Sequence, residues 1–401
     1  MRAAVVVVSL ATLANVLGYM DRVCISIAAP RLQSEFGFSE SELGLIFGAF
    51  SLTYALFQTP WGWFADRRGV RNLVAGVVFL WSGLTALTAV AWSFASMFTI
   101  RLLFGISEAA LSPAIASALK RHVSAERRST AFGIFLAGGR VGGMIAPLLA
   151  AALIVRYGWR SIFLVLAATG LLFLPVWWKG FPRTRSISTS SLPQKLELHS
   201  VSMPVLALIG VGTLYTMAWQ FYATWFPAYL MKGLGFSIEK AGAYTSLPFL
   251  FGLAATSVGG VLADGAAKSM GCRRARTLIV MGGLLVSALL LYCGAMVRQP
   301  ELSSLSIALA AGAGDLTLGS LWASAVDLGG NSPGFLAGLM NCCSNLGGFV
   351  SPVAIGWMLQ RHAGWTAILS CAAVLNVGAA CLWLVVRAAL PKPLEEKLAY
   401  A

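Results

Sequence analysis

Charged residues are scarce in this 401-residue sequence, where they fill only 11% of positions against roughly 25% in soluble domains. Histidine is scarcer still, because only His122, His199 and His362 occur, scattered outside the apolar stretches. The seven cysteines show no Cys-x-x-Cys spacing, so neither a zinc site nor a disulfide framework is indicated. With no metal-ligand cluster and no nucleophile beside a base, we expect neither an enzyme nor a bound cofactor.

Apolar residues, in contrast, make up 58% of the sequence and gather in long stretches. A helix that crosses a bilayer needs about 20 mostly apolar residues. Twelve stretches satisfy this, at residues 3–30, 41–64, 72–92, 95–119, 129–155, 160–178, 204–231, 240–264, 277–297, 302–326, 333–359 and 365–388. The first could be mistaken for a cleaved signal peptide up to Leu17, but its apolar character continues through Ile27. We predict an all-α membrane protein with twelve transmembrane helices.

The net charge of +14 would favour a nucleic-acid partner in a soluble protein, but its distribution has another cause. With the N-terminus in the cytoplasm, 19 of the 29 Lys and Arg residues fall in cytoplasmic segments, seven on the opposite side and three inside spans. Short cytoplasmic loops of membrane proteins are enriched in Lys and Arg. The bias predicts a multi-pass protein of the cell (inner) membrane, with both termini in the cytoplasm. We expect a monomer surrounded by the lipid bilayer, with no nucleic-acid partner.

The two halves of the sequence repeat one pattern on either side of a polar, Ser-rich stretch. An offset of 198 residues relates Gly37, Phe38, Ser39, Gly44, Gly62, Ala65 and Asp66 to Gly235, Phe236, Ser237, Gly242, Gly260, Ala263 and Asp264. An offset of 205 relates Gly142, Gly143 and Pro147 to Gly347, Gly348 and Pro352, and one of 206 relates Gly158 and Trp159 to Gly364 and Trp365. The repeat predicts six-helix bundles at 1–178 and 204–390, a cytoplasmic linker at 179–203 and a tail at 391–401.

The loop after the second span carries a charged motif, Gly62-Trp-Phe-Ala-Asp66-Arg67-Arg68-Gly69-Val-Arg71. Asp66 ends a predicted helix, where the helix dipole disfavours an anion unless a cation or another helix N-terminus is near. Asp66 is therefore either a gate latch or a plain turn residue. The loop resembles the G-x-x-x-D-R-x-G-x-R signature of major facilitators, which implies a gating motif formed by Gly62, Asp66, Arg67, Gly69 and Arg71, with Asp264 as its partial copy.

Other residues are similar to one family of major facilitators, the anion:cation symporters. They are Gly18-Tyr-Met-Asp21-Arg22 on the first span, Tyr54, Gln58 and Pro60 on the second, and Arg101, Gly105 and Glu108 on the fourth. The resemblance implies proton symport of a small organic anion, such as a sugar acid, by two bundles that rock about a shared site. It implies substrate contacts for Arg22 and Tyr54, with Gln58 as a further candidate. It also implies proton coupling by Asp21 and Glu108, with Arg101 as their cationic partner.

Several charged residues fall well inside predicted spans, among them Asp21, Arg22, Arg101, Glu108 and Arg140. A charge at the bilayer centre costs at least about 2.5 to 3.5 kcal/mol, so these residues need ion pairs or a function. Arg101 and Glu108 lie on one helical stripe at i and i+7, where they could instead tie helices together. Asp21 could simply hold the neighbouring Arg22 in place.

Arg140 is a second cation in the predicted cavity, where the symporter family usually has a small or polar residue. Arg22 and Arg140 together favour a dicarboxylate, or an acid with a second anionic group, as the substrate. Alternatively, Arg140 pairs with Glu108 or Asp315 and never meets substrate. Its glycine neighbours leave space for either a close helix or a ligand, and we assign no role to Asp315.

Two helical stripes of the second half complete the predicted site. Tyr215, Trp219 and Tyr222 lie at i, i+4 and i+7 of the seventh span, and Asn341 and Asn345 lie at i and i+4 of the eleventh. Trp, Tyr and amide side chains suit polyhydroxylated ligands, so we predict that Trp219, Tyr222, Asn341 and Asn345 contact substrate. Ordinary helix contacts are the alternative for these stripes.

Two alternative functions can be compared with the predicted symport on the basis of the sequence. A drug or metabolite exporter that works by proton exchange would share the fold, but the Asp21-Arg22 pair favours anionic cargo. A membrane enzyme or receptor lacks support, because the sequence offers no soluble domain and no catalytic cluster. A proton-coupled organic-anion symporter is therefore the predicted function.

Overall fold

The computed structural model describes residues 2–124, 127–182, 202–329 and 333–390, without the side chains of residues 2, 3, 66–68, 129, 333 and 334. Residues 183–201 of the predicted linker and the whole predicted tail lie outside the described residues. Within the described ranges, all regular secondary structure is helical.

Twelve helices in the described ranges are long and apolar enough to cross a membrane, which confirms the predicted number of spans. They are α1 (Arg2–Phe36), α2 (Glu40–Arg68), α3 (Val70–Ala89), α4 (Phe94–Glu108 and Leu111–His122), α5 (Arg128–Tyr157), α6 (Arg160–Gly180), α7 (Met203–Thr224), α8 (Ile238–Met270), α9 (Cys272–Met296), α10 (Pro300–Asp315 and Leu318–Leu328), α11 (Pro333–Gln360) and α12 (Trp365–Ala389). Only α4 and α10 are interrupted within the membrane, at residues 109–110 and 316–317 of the described chain. A short helix, Phe226–Ala228, and a π-helical turn, Tyr229–Gly233, extend α7.

Several helices are longer than the apolar stretches that predicted them. Helix α1 continues from the predicted end at residue 30 to Phe36 with Pro30 inside it. Proline removes one helical hydrogen bond, but neighbouring helices compensate for it inside a membrane protein. Helix α9 begins at Cys272, before the predicted start at residue 277. Its first turns contain three arginines, so hydropathy did not include them in the apolar stretch. Hydropathy therefore located the part of each helix in the hydrocarbon, whereas the polar helix ends extend beyond it.

The repeated Gly-Phe-Ser sequence forms the same helix start in both halves. Gly37 and Gly235 adopt positive φ angles of 70° and 72°, which glycine tolerates because it has no Cβ. Two residues later, the Ser39 hydroxyl accepts a hydrogen bond from the backbone N–H of Glu42 and caps α2. Ser237 caps α8 in the same way. The repeat therefore encodes a turn and an N-cap at matching positions.

The helices form two pseudo-symmetric six-helix bundles, α1–α6 and α7–α12. Because twelve helices cross the membrane, both ends of the described chain lie on one side, here called the termini side; the other is the far side. On the far side, one continuous apolar core contains residues of both bundles, such as Phe47, Ala151, Trp225 and Ile355. Toward the termini side, each bundle has its own core. The bundles therefore share one apolar core on the far side, whereas toward the termini side their apolar cores are separate.

Repeated residues form the contacts that close the far side. A Cβ added to Gly44 of α2 would lie 2.6 Å from the Pro352 carbonyl oxygen of α11. A Cβ added to Gly242 of α8 would lie 2.8 Å from the Pro147 carbonyl oxygen of α5. The two glycines are related by the repeat, and so are the two prolines that they contact. The same contact therefore occurs twice, once between α2 and α11 and once between α8 and α5. Close backbone contacts of this kind need small residues, which explains why glycine stands at both positions.

Candidate functional site

A cavity of about 240 Å³ lies between the two bundles. Helices α1, α2, α4 and α5 supply its wall on one side, and α7, α10 and α11 on the other. Its polar lining residues are Tyr19, Arg22, Ser51, Arg101, Arg140, Tyr215, Thr216, Trp219, Gln220, Thr224, Trp322, Asn341, Ser344 and Asn345. Three of them are arginines, and within the described chain none is an Asp or Glu. The wall is therefore cationic. The volume of the cavity is below the usual range of drug-sized sites, about 300–1,000 Å³.

Arg22 of α1 presents its guanidinium group to the cavity from a cage of aromatic rings. Its Cζ lies 4.7 Å from the ring centroids of Tyr19, Phe50 and Tyr54. Its Nε donates a hydrogen bond of 2.8 Å to Oε1 of Glu108, a fully buried side chain on α4. Glu108 thus takes the Nε edge of the guanidinium group, and Arg22 lines the cavity.

Asp21 does not hold Arg22 in place, in contrast to the simpler interpretation of the Asp-Arg pair. It is 4% exposed and accepts a hydrogen bond of 3.1 Å from the Thr85 hydroxyl on α3. Consecutive residues of a helix point about 100° apart, so Asp21 faces the first bundle while Arg22 faces the cavity. Asp21 is therefore placed behind the cavity wall.

Glu108 ties α4 to α1 through its pair with Arg22, whereas Arg101 forms no ion pair among the described residues. Its guanidinium carbon lies 5.5 Å from the Phe50 ring and 5.1 Å from the Phe104 ring. Its Nε is buried and has no hydrogen-bond partner in the described part of the chain. Arg101 is 5% exposed and lines the cavity. It thus adds a positive charge next to Arg22 without neutralising Glu108 directly.

Arg140 of α5 forms an ion pair across the bundle boundary with Asp315 of α10. Its Nη2 lies 2.8 Å from Oδ2 of Asp315, which is fully buried. Tyr215 of α7 donates a hydrogen bond to the other carboxylate oxygen. The Arg140 guanidinium carbon also lies 4.6 Å from the Trp219 ring. One predicted alternative, pairing with Asp315, is therefore present, yet Arg140 also lines the cavity.

The glycines around Arg140 make room for a helix. Added Cβ atoms at Gly138, Gly139 and Gly142 would collide with α1, and one at Gly143 would collide with Phe249 of α8. Helix α1 therefore lies directly against α5. This close contact brings Arg22 and Arg140 to the same cavity.

The other predicted substrate residues divide between the cavity wall and its surroundings. Trp219, Asn341 and Asn345 line the cavity, whereas Tyr54 stacks on Arg22 from behind. The Asn341 amide donates a hydrogen bond of 2.7 Å to Gln58, which joins α11 to α2.

Tyr222 lies outside the lining that its helical stripe predicted. It is 2% exposed and packs against Phe221 and Phe226. Its neighbours Ala223 and Thr224 line the cavity, so Tyr222 projects from a different side of α7. A direct contact between Tyr222 and a ligand is therefore absent from this conformation.

The predicted gating motif spans the last turns of α2, the single connecting residue Gly69 and the first turn of α3. Gly69 has a φ of 82° and begins α3 without a side-chain cap. Arg71 donates a hydrogen bond to the Trp178 carbonyl oxygen and stacks on its ring at 4.6 Å, so it ties α3 to α6. Gly62 faces Pro113 of α4, and Asp264 is exposed at the termini end of α8. The side chains of Asp66 and Arg67 lie outside the described residues.

Sequence reasoning missed Gln220, Tyr19 and Ser51 on the cavity wall. The Gln220 amide donates a hydrogen bond of 3.4 Å to the Ser51 hydroxyl and so joins the two bundles. Gln220 follows Arg22 by 198 residues, the offset of the internal repeat. Applying this offset to Arg22 would have found it. No periodic pattern marked Tyr19 or Ser51.

Comparisons with known proteins agree with this architecture. The sequence profile of the Major Facilitator Superfamily matches residues 11–352. A probable sulfoacetate transporter of Cupriavidus necator is 30% identical over 387 residues, covering 90% of this chain and 89% of that protein. The hexuronate transporter of Bacillus subtilis is 27% identical over 365 residues, covering 87% and 86%. A probable galactarate/D-glucarate transporter of Escherichia coli K12 is 28% identical over 393 residues, covering 88% and 87%.

A solved structure shows the same fold at lower sequence identity. The bacterial homologue of the human lysosomal transporter Spinster, in an inward-facing and occupied conformation, superimposes with a TM-score of 0.74 at 20% identity. The match covers 96% of this chain and 95% of that one. Together with the family profile and the twelve membrane-spanning helices, it identifies the chain as a transporter, not an enzyme, that belongs to the Major Facilitator Superfamily.

Proposed function

We propose that this protein is a proton-coupled symporter that carries a small organic anion, such as a sugar acid or another carboxylate, by alternating access. The observation that carries this proposal is a small cavity lined by three arginines and by no acidic side chain of the described chain. A cationic wall with low-dielectric surroundings attracts anions strongly. Relatives named for sulfoacetate, hexuronate and galactarate transport support the same cargo class.

Arg22 anchors the substrate carboxylate in this proposal. A guanidinium group offers several donors in one plane, which matches the two oxygens of a carboxylate. Because Arg22 uses Nε for Glu108, it retains its terminal nitrogens for the substrate. Hydrogen-bonding side chains such as Gln220, Asn341 and Asn345 face this position from the second bundle and suit the hydroxyl groups of a sugar acid.

Glu108 carries the coupled proton, with Asp21 and Arg101 in supporting roles. Removing a carboxylate from water favours its neutral form unless a cation pairs with it. Glu108 is fully buried and pairs with Arg22, which also binds the substrate in this proposal. When the substrate anion draws Arg22 away, Glu108 loses its counter-charge and takes up a proton. Substrate binding and protonation therefore favour each other, which is the basis of symport.

The two bundles rock about the cavity to expose it alternately to either side. The far side is closed by glycine contacts and by a 2.7 Å ion pair between Lys232 and Glu40 of opposite bundles. We infer from the Lys and Arg bias that the termini side is cytoplasmic, and we propose that the protein acts as a monomer in the inner membrane. The described conformation then faces the cytoplasm. Asp66 and Arg67 of the loop motif latch that side when it closes.

A proton-driven exporter is the second candidate. It would use the same fold and the same buried carboxylates, but it would move cargo against the direction of proton flow. Three arginines on the wall disfavour the cationic and neutral compounds that such exporters commonly expel. The direction of proton-driven movement separates the two candidates.

Uptake by proteoliposomes tests the proposal. Vesicles containing the purified protein receive an inward proton gradient and radiolabelled galactonate, glucuronate or sulfoacetate. We expect accumulation of at least one acid above its external concentration, and loss of this accumulation when the gradient is collapsed. Proton-driven expulsion, or movement that ignores the gradient, would refute symport.

The variant Glu108→Gln tests the proton carrier in the same vesicles. Glutamine imitates the protonated acid, so we expect exchange of labelled for unlabelled substrate without accumulation. Glu239→Gln, which changes an exposed acid in the first turn of α8, is the control and should accumulate substrate normally. Proton-driven accumulation by Glu108→Gln would exclude Glu108 as the main carrier.

A further inference from the structure

The cavity contains two matched ion pairs, of which the proposed function uses only one. In each pair, an arginine side chain on the wall lies 2.8 Å from a fully buried carboxylate. Arg22 and Arg140 have side-chain exposures of 18% and 15%, while Glu108 and Asp315 have 0%. Each arginine also stacks on aromatic rings. The same construction therefore occurs at two places around one cavity.

The two carboxylates also occupy corresponding positions of the internal repeat. Glu108 is the last residue before the interruption of α4, and Asp315 is the last residue before the interruption of α10. They are separated by 207 residues, close to the offsets of 205 and 206 that relate later parts of the two halves. A regular helical segment disfavours a negative charge at its C-terminal end. Both carboxylates therefore depend on an arginine or a proton.

Arg140 is suited to bind an anion in addition to Asp315. Its Nη1 is buried and has no hydrogen-bond partner among the described residues. Tyr19 lies beside both arginines, since its ring centroid is 4.7 Å from the Arg22 guanidinium carbon and its ring packs against Gly139, the residue before Arg140. A ligand that contacts Arg22 at one end can therefore reach toward Arg140 at the other.

We propose that Arg140 is a second anion subsite, that the substrate is a small acid with two anionic groups, and that Asp315 accepts a proton when the second group takes over Arg140. This inference rests on the proposed function and extends it. The proton enters with the substrate from the far side, binds a carboxylate oxygen of Asp315, and leaves on the termini side when the Arg140 pair forms again. One additional proton thus offsets the additional negative charge of the substrate.

Few groups compete for this proton. Asp315 is faced by Arg140 from α5 and by the hydroxyl of Tyr215 from α7. Helix α8 contributes Gly252, where an added Cβ would collide with the Asp315 carboxylate. The proton balance of Asp315 is therefore controlled mainly by whether Arg140 is paired with it or with the substrate.

Two pairs of probes that differ by one charge test this inference. Galactarate carries a second carboxylate where galactonate has a hydroxymethyl group, and sulfoacetate carries a carboxylate where ethanesulfonate has a methyl group. Binding is measured by calorimetry in lipid nanodiscs. The wild type should prefer a dianion in at least one probe pair, and Arg140→Gln should weaken dianion binding by about 10- to 100-fold. Binding of the monoanion should change by less than about threefold, since a group that makes no contact is near neutral.

Asp315→Asn separates this role from a purely structural one. It removes the carboxylate that competes for Arg140, so dianion affinity should be retained or increased. In proteoliposomes, the ratio of protons to transported dianion should fall by one relative to the wild type. Asp327→Asn on the same helix, which disrupts an exposed ion pair with Arg276, should leave affinity and proton ratio unchanged.

The double variant Arg140→Gln/Asp315→Asn guards against misfolding, because it removes both charges of the buried pair together. We expect it to fold and to lose the preference for dianions. A double variant with the wild-type preference, or an Asp315→Asn variant with the wild-type proton ratio, would overturn the inference. Equal binding of both charge forms by the wild type would overturn it while leaving organic-anion symport intact. Failure of the wild type to bind or transport any of the acids would overturn both.

Discussion

Replacing Arg22 by lysine is the most direct test of the cavity chemistry, because it keeps the charge and changes only its geometry. In the structure, Nε of Arg22 binds Glu108 at 2.8 Å while the guanidinium group stacks against three rings. A lysine ammonium group is a single point charge on a flexible chain. It cannot present two parallel donors to the two oxygens of a carboxylate, as a guanidinium group does.

The expected loss follows from the hydrogen bonds that lysine fails to replace. A hydrogen bond to a charged group contributes about 1.5 to 3 kcal/mol, which corresponds to about 10- to 150-fold in affinity. We therefore expect Arg22→Lys to lower substrate affinity by about 10- to 150-fold. Stability should change little, because the lysine still provides a cation beside the buried Glu108 carboxylate and avoids an unpaired charge.

The assay combines substrate affinity, measured by calorimetry in nanodiscs, with the thermal unfolding temperature of the same sample. Arg31→Lys, an exposed arginine on the same helix, is the matched control and should bind substrate like the wild type. If Arg22→Lys binds substrate with wild-type affinity, Arg22 does not anchor the carboxylate. If Arg22→Lys fails to fold, the Arg22–Glu108 pair is needed mainly for stability rather than for binding the substrate carboxylate.

Two further predictions concern glycines at close helix contacts. Gly44→Ala places a Cβ 2.6 Å from the Pro352 carbonyl oxygen, so the distance between spin labels on the far-side loops of the two bundles should increase. An unchanged distance distribution would contradict the proposal that this contact closes the far side. Gly105→Ala drives a Cβ into the backbone of Phe50 and should lower the free energy of unfolding by about 1–3 kcal/mol. Gly76→Ala, with no atom within 4 Å of its Cβ, is the control for both; equal stability of the Gly105 and Gly76 variants would refute the contact.

Local patterns in the sequence predicted the scaffold well. Hydropathy located all twelve spans, because a helix in lipid must be apolar along its whole crossing length. The internal repeat pointed to Gly37 and Ser39 and their copies, which form equivalent turns and caps. Its glycines and prolines also matched the far-side contacts, although nothing in the sequence indicated that Gly44 touches Pro352 rather than another residue.

The partners of the buried charges could not be predicted in the same way. The expense of a charge in lipid identified Arg22, Glu108 and Arg140 as residues in need of a partner or a function. It did not distinguish pairing of Glu108 with Arg22 from pairing with Arg101. The sequence also left Asp315 without a role. The helical stripe of the seventh span, in turn, placed Tyr222 on the cavity wall.

The sequence by itself thus determined the crossing helices, their charge asymmetry, the repeat and the set of costly charges, because each depends on residue type and on spacing along one segment. The tertiary structure decided the Arg22–Glu108 and Arg140–Asp315 pairs, the closed far side and the composition of the cavity wall. These depend on the rotation and tilt of helices distant in sequence. Helix rotation is set by how all neighbouring side chains fit together, and hydropathy and spacing within one helix contain no record of that fit.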